Sequence, residues 1–271
     1  MGKFRTTEFR GLRCPSCGAS HRMLVEKIGG QIKCFQCGFG FTVSRRTKVG
    51  GYIRAMRPQF LVFWVVMVIL AGVLSEFPRP SLFMLTLLGM VFIGVSCHLY
   101  DEYKDWMLGR DKECGGMGTL RQGVVTVKWL KRLSITCFSI AGLVAAYLTF
   151  SVGWEVLAFV GLGVLILTTL PRHEMMFMVR DLAIIVAVMS AMLGTYFVQA
   201  SSLNLRVVLF SLGACMWLMT VVVLQDIPDI KADRKTGKRT LPVVFGVEKA
   251  TSVGILYGLI GLMLMTFAQV V

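Results

Sequence analysis

Acidic residues are scarce in this chain: 15 Asp and Glu stand against 29 Lys and Arg, which gives a formal net charge of +14 over 271 residues. So positive a chain would suit nucleic acid or anionic lipid. Its basic N-terminal stretch shows neither the aromatic stacking platform typical of single-strand binders nor a secretory signal peptide. Hydrophobic residues, in contrast, make up 55% of the chain, and the mean hydropathy is +0.70. This composition predicts one membrane domain with a small appendage.

Long apolar runs predict how often the chain crosses a membrane. A helix needs about twenty predominantly apolar residues to span a bilayer. Such runs occur at roughly 59–75, 81–100, 133–152, 154–170, 181–200, 207–224 and 247–271. The sequence therefore predicts an all-α membrane protein, a multi-helix transmembrane bundle of about seven spans.

Lysine and arginine are distributed unevenly around these runs. Of the 29 basic residues, 27 precede the first run or fall in loops on that same side, and only Arg79 and Arg206 fall on the other. Because cytoplasmic loops carry the excess of Lys and Arg, the N-terminus and both acidic stretches described below are predicted to be cytoplasmic. The asymmetry accounts for the high net charge, so nucleic acid is not needed as a partner.

Two CxxC motifs lie near the N-terminus, where Cys14 and Cys17 form one knuckle and Cys34 and Cys37 form a second. The knuckles are separated by 16 residues, a spacing that resembles a zinc ribbon and predicts a structural Zn2+ site with four cysteine ligands. Disulfides are the alternative. A cytosolic location favours zinc-bound thiolates instead.

So small a unit has little hydrophobic core, and a metal would supply much of its folding energy. Short strands are expected at about 23–28 and 31–35, turned by Gly29 and Gly30. The ribbon is expected to act as a docking or stabilising module beside the membrane, and its partner is unknown. The predicted domains are a zinc-ribbon-like domain at 1–42, a basic linker at 43–51 and a transmembrane domain at 52–271.

An acidic stretch, 225–242, follows the apolar run at 207–224. Asp226, Asp229 and Asp233 are three and four residues apart, so a helix carrying them would place all three on one face. Three carboxylates at a membrane boundary repel one another, and a bound cation would make the arrangement favourable. Mg2+ is the expected cation, because it takes one or two carboxylates and completes its shell with water and phosphate oxygens.

A second acidic stretch, 98–111, closes an earlier apolar run in the same way. Asp101 and Asp105 are four residues apart on one predicted helical face, with Glu102 beside them and Asp111 beyond. A solvated cytoplasmic loop is the alternative for either stretch alone. Two stretches with this spacing at the same kind of boundary favour one inward-facing site built by both.

The two stretches resemble the aspartate-rich motifs of the UbiA-type intramembrane prenyltransferases. Residues 229–242 match the second motif in order and spacing, and residues 101–111 match the first, with Asp101 where the family usually has Asn. The resemblance covers roughly Tyr52 to the C-terminus. It implies an all-helical membrane fold, typically of nine helices where the apolar runs number about seven, and Mg2+-dependent prenyl transfer from an allylic diphosphate.

Residues 194–199 and Asp181 resemble the fifth helix of the 1,4-dihydroxy-2-naphthoate prenyltransferase branch, which implies an aromatic, naphthoate-type acceptor and menaquinone biosynthesis. The catalytic carboxylates implied are Asp101, Asp105, Asp229 and Asp233. The Mg2+ ligands expected are these four with Glu102, Asp111 and Asp226. Expected contacts to the polyprenyl diphosphate and the acceptor come from Arg121, Lys238, Arg239, Tyr196 and Gln199.

Other functions fit the same residues. Prenyl transfer to a glyceryl phosphate in ether-lipid synthesis is the rival within the enzyme class. A cation transporter, or a non-enzymatic cation-binding membrane protein, is the rival outside it. A transport path would distribute acids through the membrane depth. In this chain the acids concentrate at the ends of two apolar runs and alternate with basic residues, which favours an anionic substrate.

Overall fold

A computed structural model of the chain describes residues 9–14, 16–17, 19–24, 31–42, 48–108, 120, 125–173, 176 and 178–271. These residues divide into two compact units. The N-terminal unit is drawn from residues 1–58 and 98–135, and the bundle unit from residues 59–97 and 136–271. The three domains expected from the sequence stay a prediction.

The N-terminal unit contains two short antiparallel hairpins. Strand β1 (Phe9–Arg13) pairs with β2 (Ser20–Leu24), and β3 (Gln31–Lys33) pairs with β4 (Gly40–Thr42). One CxxC knuckle lies between the strands of each hairpin. The two hairpins are therefore repeats of one arrangement, strand, knuckle and strand.

This pairing corrects the expected hairpin. The described parts of 23–28 and 31–35 lie in different sheets, and the glycine turn expected between them lies outside the described residues. The knuckles supply the turns instead. The Cys34 amide donates to the Phe39 carbonyl at 2.8 Å, and the Cys14 amide makes the equivalent bond in the other hairpin.

Ten helices lie among the described residues. They are α1 (Lys48–Ala55), α2 (Pro58–Leu74), α3 (Pro80–Met107), α4 (Val127–Val152), α5 (Glu155–His173), α6 (Val179–Ala200), α7 (Leu205–Asp226), α8 (Ile230–Thr236), α9 (Leu241–Phe245) and α10 (Val247–Phe267). Seven of them, α2 to α7 and α10, coincide with the seven predicted apolar runs.

Five of these helices, α3, α4, α6, α7 and α10, are long and apolar enough to cross a membrane. Helix α2 and the Glu155–Ile166 stretch of α5 are apolar but shorter. Large apolar side chains point outwards from α4, where Phe150 is 93% exposed and Leu143 is 73% exposed. An outward apolar surface is what lipid would cover. The predicted multi-helix fold with a small N-terminal cysteine unit is confirmed.

The core of the bundle unit centres on α6 and α7. Val188 and Met192 of α6 pack against Ala214, Cys215 and Leu218 of α7 in one buried cluster, and side chains of α2 join it. Because α6 and α7 are consecutive helices that pack side by side, the start of α6 lies beside the end of α7. That end carries Asp226, the first acid of the second motif.

Helices α7 and α10 approach each other closely because glycines face each other in their contact. A Cβ atom on Gly261 would lie 2.6 Å from the carbonyl oxygen of Gly213 and 2.7 Å from the amide nitrogen of Trp217. The Thr220 hydroxyl also donates to the Gly254 carbonyl at 2.8 Å across the same pair. Small residues that let two backbones touch are how helices associate in lipid.

Replacing Gly261 by Leu should therefore separate α7 from α10. The new side chain meets backbone rather than a flexible side chain, so we expect a cost of about 3 kcal/mol, the upper end for overpacking. The measurement is the thermal unfolding midpoint in detergent. Gly142→Leu is the matched control, because a Cβ atom there meets nothing within 4 Å. Equal midpoints for the two variants would contradict the contact.

Candidate functional site

The second acidic motif is carried by two helices rather than one. Asp226 is the last residue of α7, Asp229 is the N-cap of α8, and Asp233 lies inside α8. The prediction that one helical face carries all three is therefore wrong. Pro228 supplies the reason, because proline lacks an N–H and its ring clashes with the carbonyl four residues earlier in a continuing helix. The chain tightens there, and the Asp229 amide donates to the Asp226 carbonyl at 3.2 Å.

Asp233 is the most buried carboxylate of this motif, at 9% exposure. The Thr240 hydroxyl donates to its Oδ2 at 3.5 Å. Gly237 follows the last residue of α8 with a φ of 78°, which suits glycine, and the Lys238 amide donates to the Asp233 carbonyl at 2.9 Å. Burial raises the pKa of the Asp233 carboxyl, and the charge of Lys238 opposes that rise. Asp233 is thus held in a partly dehydrated position beside a lysine.

Arg180, at the start of α6, joins two acids of the bundle unit. Its Nη2 donates to Oδ2 of Asp226 at 2.6 Å, and its Nε lies 3.5 Å from Oδ1 of Asp181. The three side chains are only 12%, 19% and 11% exposed. An arginine shared by two shielded carboxylates fixes both in place.

The first acidic motif lies on the last two turns of α3, in the N-terminal unit. Arg57 donates to Oε1 of Glu102 at 2.8 Å and lies 3.5 Å from Oδ2 of Asp101. Glu102 and Asp105 are buried, at 1% and 4% exposure. Pro58 begins α2. Arg57, between α1 and α2, has a φ of 50°, a left-handed conformation that is uncommon for a residue other than glycine.

Neither Arg57 nor Arg180 is among the predicted site residues. Both partners are remote in sequence, 45 residues away for Glu102 and 46 for Asp226. Helical spacing cannot report such pairs. The available signal was the presence of one arginine at the start of an apolar helix in each case.

The other predicted residues fall in several places. Asp111 and Arg121 lie outside the described residues. Asp229 and Arg239 are exposed, and Lys238 is half-buried. Their roles, like those of Asp101, Glu102, Asp105, Asp226 and Asp233, stay a prediction.

Tyr196 and Gln199 do not adjoin the second motif. They lie 16 and 19 residues beyond Arg180 on α6, so roughly 24–29 Å along the helix from it. The Tyr196 hydroxyl accepts from Asn204 at 3.0 Å, and Gln199 accepts from the Arg79 amide at 3.1 Å. These contacts fasten the end of the bundle opposite the second motif. A substrate contact there would have to lie far from that motif.

The four N-terminal cysteines converge. Sγ of Cys14 lies 3.6 Å from Sγ of Cys37, Sγ of Cys17 lies 3.6 Å from Sγ of Cys34, and all four sulfurs lie within 4.8 Å of one another. None of these four cysteines forms a disulfide. Among the described residues, the acidic motifs contain no comparably tight group of three or more metal-ligand atoms. A Zn–S distance of about 2.3 Å places tetrahedral sulfurs about 3.8 Å apart, so the cluster fits zinc.

An apolar cavity lies inside the bundle unit, between α3, α4, α5 and α6. Its volume is about 80 Å3. The hydroxyls of Thr86, Ser190 and Thr195 on its wall donate to carbonyls of their own helices. The cavity therefore presents an apolar surface in spite of these polar side chains.

The fold and the site together define a helical membrane protein with carboxylate and arginine clusters at helix ends and a four-cysteine cluster at the N-terminus. The chain belongs to the UbiA prenyltransferase family, whose family model matches residues 61–271. It is thus an integral membrane protein and a prenyltransferase, and the resemblance that the two motifs indicated is confirmed.

Two curated relatives share the name 1,4-dihydroxy-2-naphthoate octaprenyltransferase. The protein from Bacillus subtilis is 26% identical over 79% of this chain and 72% of its own length. The protein from Haemophilus influenzae is 24% identical over 71% and 68%. A solved UbiA homolog from Archaeoglobus fulgidus, bound to GPP and Mg2+, superposes with a TM-score of 0.65 at 16% identity, over 80% of this chain and 77% of that one. The superposition shows the shared fold.

Proposed function

We propose that this chain transfers a polyprenyl group from an allylic diphosphate to a naphthoate-type aromatic acceptor inside the membrane, with Mg2+ at its two acidic motifs. The observation that carries the proposal is the burial of Asp105 of the first motif, near the end of α3, and of Asp233 of the second motif, on α8. Glu102 is buried as well and is paired with Arg57. Shielded carboxylates are costly unless a cation accompanies them. The names of the curated relatives support a naphthoate acceptor.

The donor atoms of both motifs are suited to Mg2+, because all are carboxylate oxygens and the ion needs only one or two of them beside water and phosphate. Asp101 and Asp105 would hold it in the first motif, and Asp229 and Asp233 in the second, with Glu102, Asp111 and Asp226 assisting. When bound, the metal would neutralise charge that develops on the departing diphosphate.

The basic residues of the bundle unit orient the anionic end of the substrate in this proposal. Lys238 lies close enough to Asp233 and Asp226 to influence both carboxylates, and Arg239 follows it. Arg180, already paired with Asp226, holds that carboxylate in place until phosphate oxygens arrive. Arg57 has the same relation to Glu102 in the N-terminal unit. Arg121 is a further phosphate contact expected from the sequence.

The apolar cavity of the bundle unit supports an apolar substrate. The hydroxyls of Thr86, Ser190 and Thr195 already donate to helix carbonyls, so this largely apolar lining offers water few hydrogen bonds. We assign it to part of the prenyl tail. Excluding water beside an allylic cation would also protect it from hydrolysis.

The proposed enzyme is oriented with its N-terminus and both acidic motifs in the cytoplasm. The support is the charge distribution, with 27 of 29 basic residues on the same side of the apolar runs. Soluble substrates and Mg2+ would then reach the site from the cytosol.

We further propose a structural Zn2+ held by Cys14, Cys17, Cys34 and Cys37. Burial raises the pKa of the Cys14 thiol to about 12, so zinc binding there would release a proton at neutral pH. In the part of this unit whose side chains the structure describes, the buried cluster is Cys14 and Cys34 with Ala19 and Phe39 packed against them, and a bound metal would supply folding energy that so small a unit otherwise lacks.

Replacing Cys34 by Ala should abolish zinc binding, because three thiolates no longer close a tetrahedral site. The purified full-length protein is expected to carry about one zinc ion per chain, and the variant almost none, by elemental analysis. Cys137→Ala is the control, since Cys137 is a buried cysteine outside the cluster. Zinc content that stays unchanged in Cys34→Ala would refute the site.

The experiment that tests the enzymatic proposal measures diphosphate release and prenylated product from the purified protein in lipid. Geranylgeranyl and longer diphosphates are supplied with 1,4-dihydroxy-2-naphthoate, 4-hydroxybenzoate or a glyceryl phosphate, with Mg2+ or with chelator. We expect product with the naphthoate, and only with Mg2+. If glyceryl phosphate were the only acceptor to give product, the enzyme would be assigned to ether-lipid synthesis instead. No release from folded protein would favour a binding protein.

A further inference from the structure

One aromatic contact joins the cysteine cluster to the helix that carries the first acidic motif. The ring of Phe39 meets the ring of Trp106 edge-on, with centroids 5.2 Å apart and planes at 69°. Phe39 follows the second knuckle and packs against the buried Cys14 and Cys34. Its carbonyl also accepts the Cys34 amide, which closes that knuckle. The position of Phe39 therefore depends on the knuckle itself.

Trp106 lies in the last turn of α3, directly after Asp105 and four residues after Glu102. Its side chain is 3% exposed, and Glu102 lies on the same helical face. The carbonyls of a last helical turn lack partners within the helix, so this turn frays unless something holds it. Phe39 is one of the groups that cover Trp106. The cysteine cluster and the first motif also belong to the same compact unit.

We propose that the four-cysteine module is a positioning element for the first acidic motif, acting through Phe39 on Trp106. Zinc bound by the four cysteines would hold the second knuckle closed and so fix the position of Phe39. Phe39 packs against Trp106, in the turn that carries Asp105. Losing zinc would release Phe39 and loosen that turn. This inference rests on the proposed function for its catalytic consequence, but the structural coupling can be measured without it.

The test follows hydrogen exchange of the amides in residues 98–108, in full-length protein in lipid. Cys34→Ala removes one of the four proposed zinc ligands. Trp106→Leu breaks the contact from the side of α3, where the zinc ligands are untouched, and Trp106→Phe keeps an aromatic ring. Losing the stabilisation that an edge-on aromatic pair supplies would raise the equilibrium constant for local opening of the helix about two- to tenfold. We expect exchange to rise by about that factor in Cys34→Ala and Trp106→Leu, and to stay near wild type in Trp106→Phe.

Zinc content and turnover are measured on the same samples. Trp106→Leu should keep its zinc, and Cys137→Ala should match wild type in exchange. The Mg2+ concentration for half-maximal prenyl transfer should rise about two- to tenfold in Cys34→Ala and Trp106→Leu, with a smaller change in kcat. A structural defect alone would lower the amount of active protein, and so kcat, without this shift.

Unchanged exchange in residues 98–108 after zinc is lost would overturn the coupling, whatever the turnover. Raised exchange in Cys34→Ala but not in Trp106→Leu would also overturn it, because the ring contact would not be the route. If wild-type protein shows no prenyl transfer with any acceptor, the proposed function fails, and the exchange data still decide whether the module holds the helix.

Discussion

Asp229→Ala is expected to lower Mg2+-dependent prenyl transfer by about 10²–10³-fold, the size of loss seen when one group that stabilises transition-state charge is removed. Asp229 is exposed, and as the N-cap of α8 its side chain makes no capping hydrogen bond. Its removal therefore costs the fold little. A loss of turnover in this variant reports on the site rather than on folding, and the measurement is the initial rate of diphosphate release in lipid.

Asp233→Asn completes this test from the buried side of the motif. Asn keeps the shape of the side chain and can still accept from Thr240, but it carries no charge to hold a metal. We expect a loss similar to that of Asp229→Ala. Glu248→Ala, at an exposed acid in the first turn of α10, is the control and should keep wild-type turnover. Full activity in both motif variants would remove the second motif from the site.

Helices were the part of the fold most open to prediction from sequence. The seven apolar runs and the seven apolar helices agree in position because an apolar segment in lipid must satisfy its backbone groups internally, and hydropathy reports where such segments lie. The break at Pro228 could also have been read from the sequence. The prediction of Asp226 and Asp233 on one helix rested on carboxylate spacing alone. A proline between them breaks the helix, whatever the spacing of the carboxylates.

The N-terminal hairpins were harder to place. Gly29 and Gly30 look like a turn by residue preference, yet the described strands turn at the knuckles. Hydrogen bonds from the backbone amides of Cys14 and Cys34 close those turns. Two CxxC knuckles therefore predict the positions of the turns better than a glycine pair does. The cysteine spacing predicted the cluster itself, because ligand number and spacing are a local property.

Contacts between distant residues could not be predicted from a single sequence. The pairs Arg57 with Glu102 and Arg180 with Asp226 arise from how whole helices pack, and no local pattern records that packing. The same holds for Phe39 against Trp106. These contacts matter most for the candidate site, because each one fixes or shields a carboxylate, or the turn that carries one.

Arg180→Leu should be among the most destabilising single changes in the bundle unit. It leaves the largely shielded carboxylates of Asp181 and Asp226 beside each other without the cation that they share. Removing one partner from a buried ion pair costs about 3–5 kcal/mol. For a domain of this size that corresponds to a melting temperature lower by roughly 10 °C. The measurement is thermal unfolding in detergent, with Arg206→Leu as control, since Arg206 is an exposed arginine bonded to Gln269 at 2.7 Å.

The electrostatic part of the stability lost in Arg180→Leu can be separated from lost packing by also removing the two carboxylate charges. Adding Asp181→Asn and Asp226→Asn to Arg180→Leu replaces two carboxylates with neutral amides of similar shape, so most of the lost stability should return. Arg180→Lys, which keeps a charge but lacks the planar fork that reaches both acids, should fall between wild type and Arg180→Leu. A triple variant no more stable than Arg180→Leu would show that the arginine acts through its apolar stem, and that the second motif does not depend on its charge.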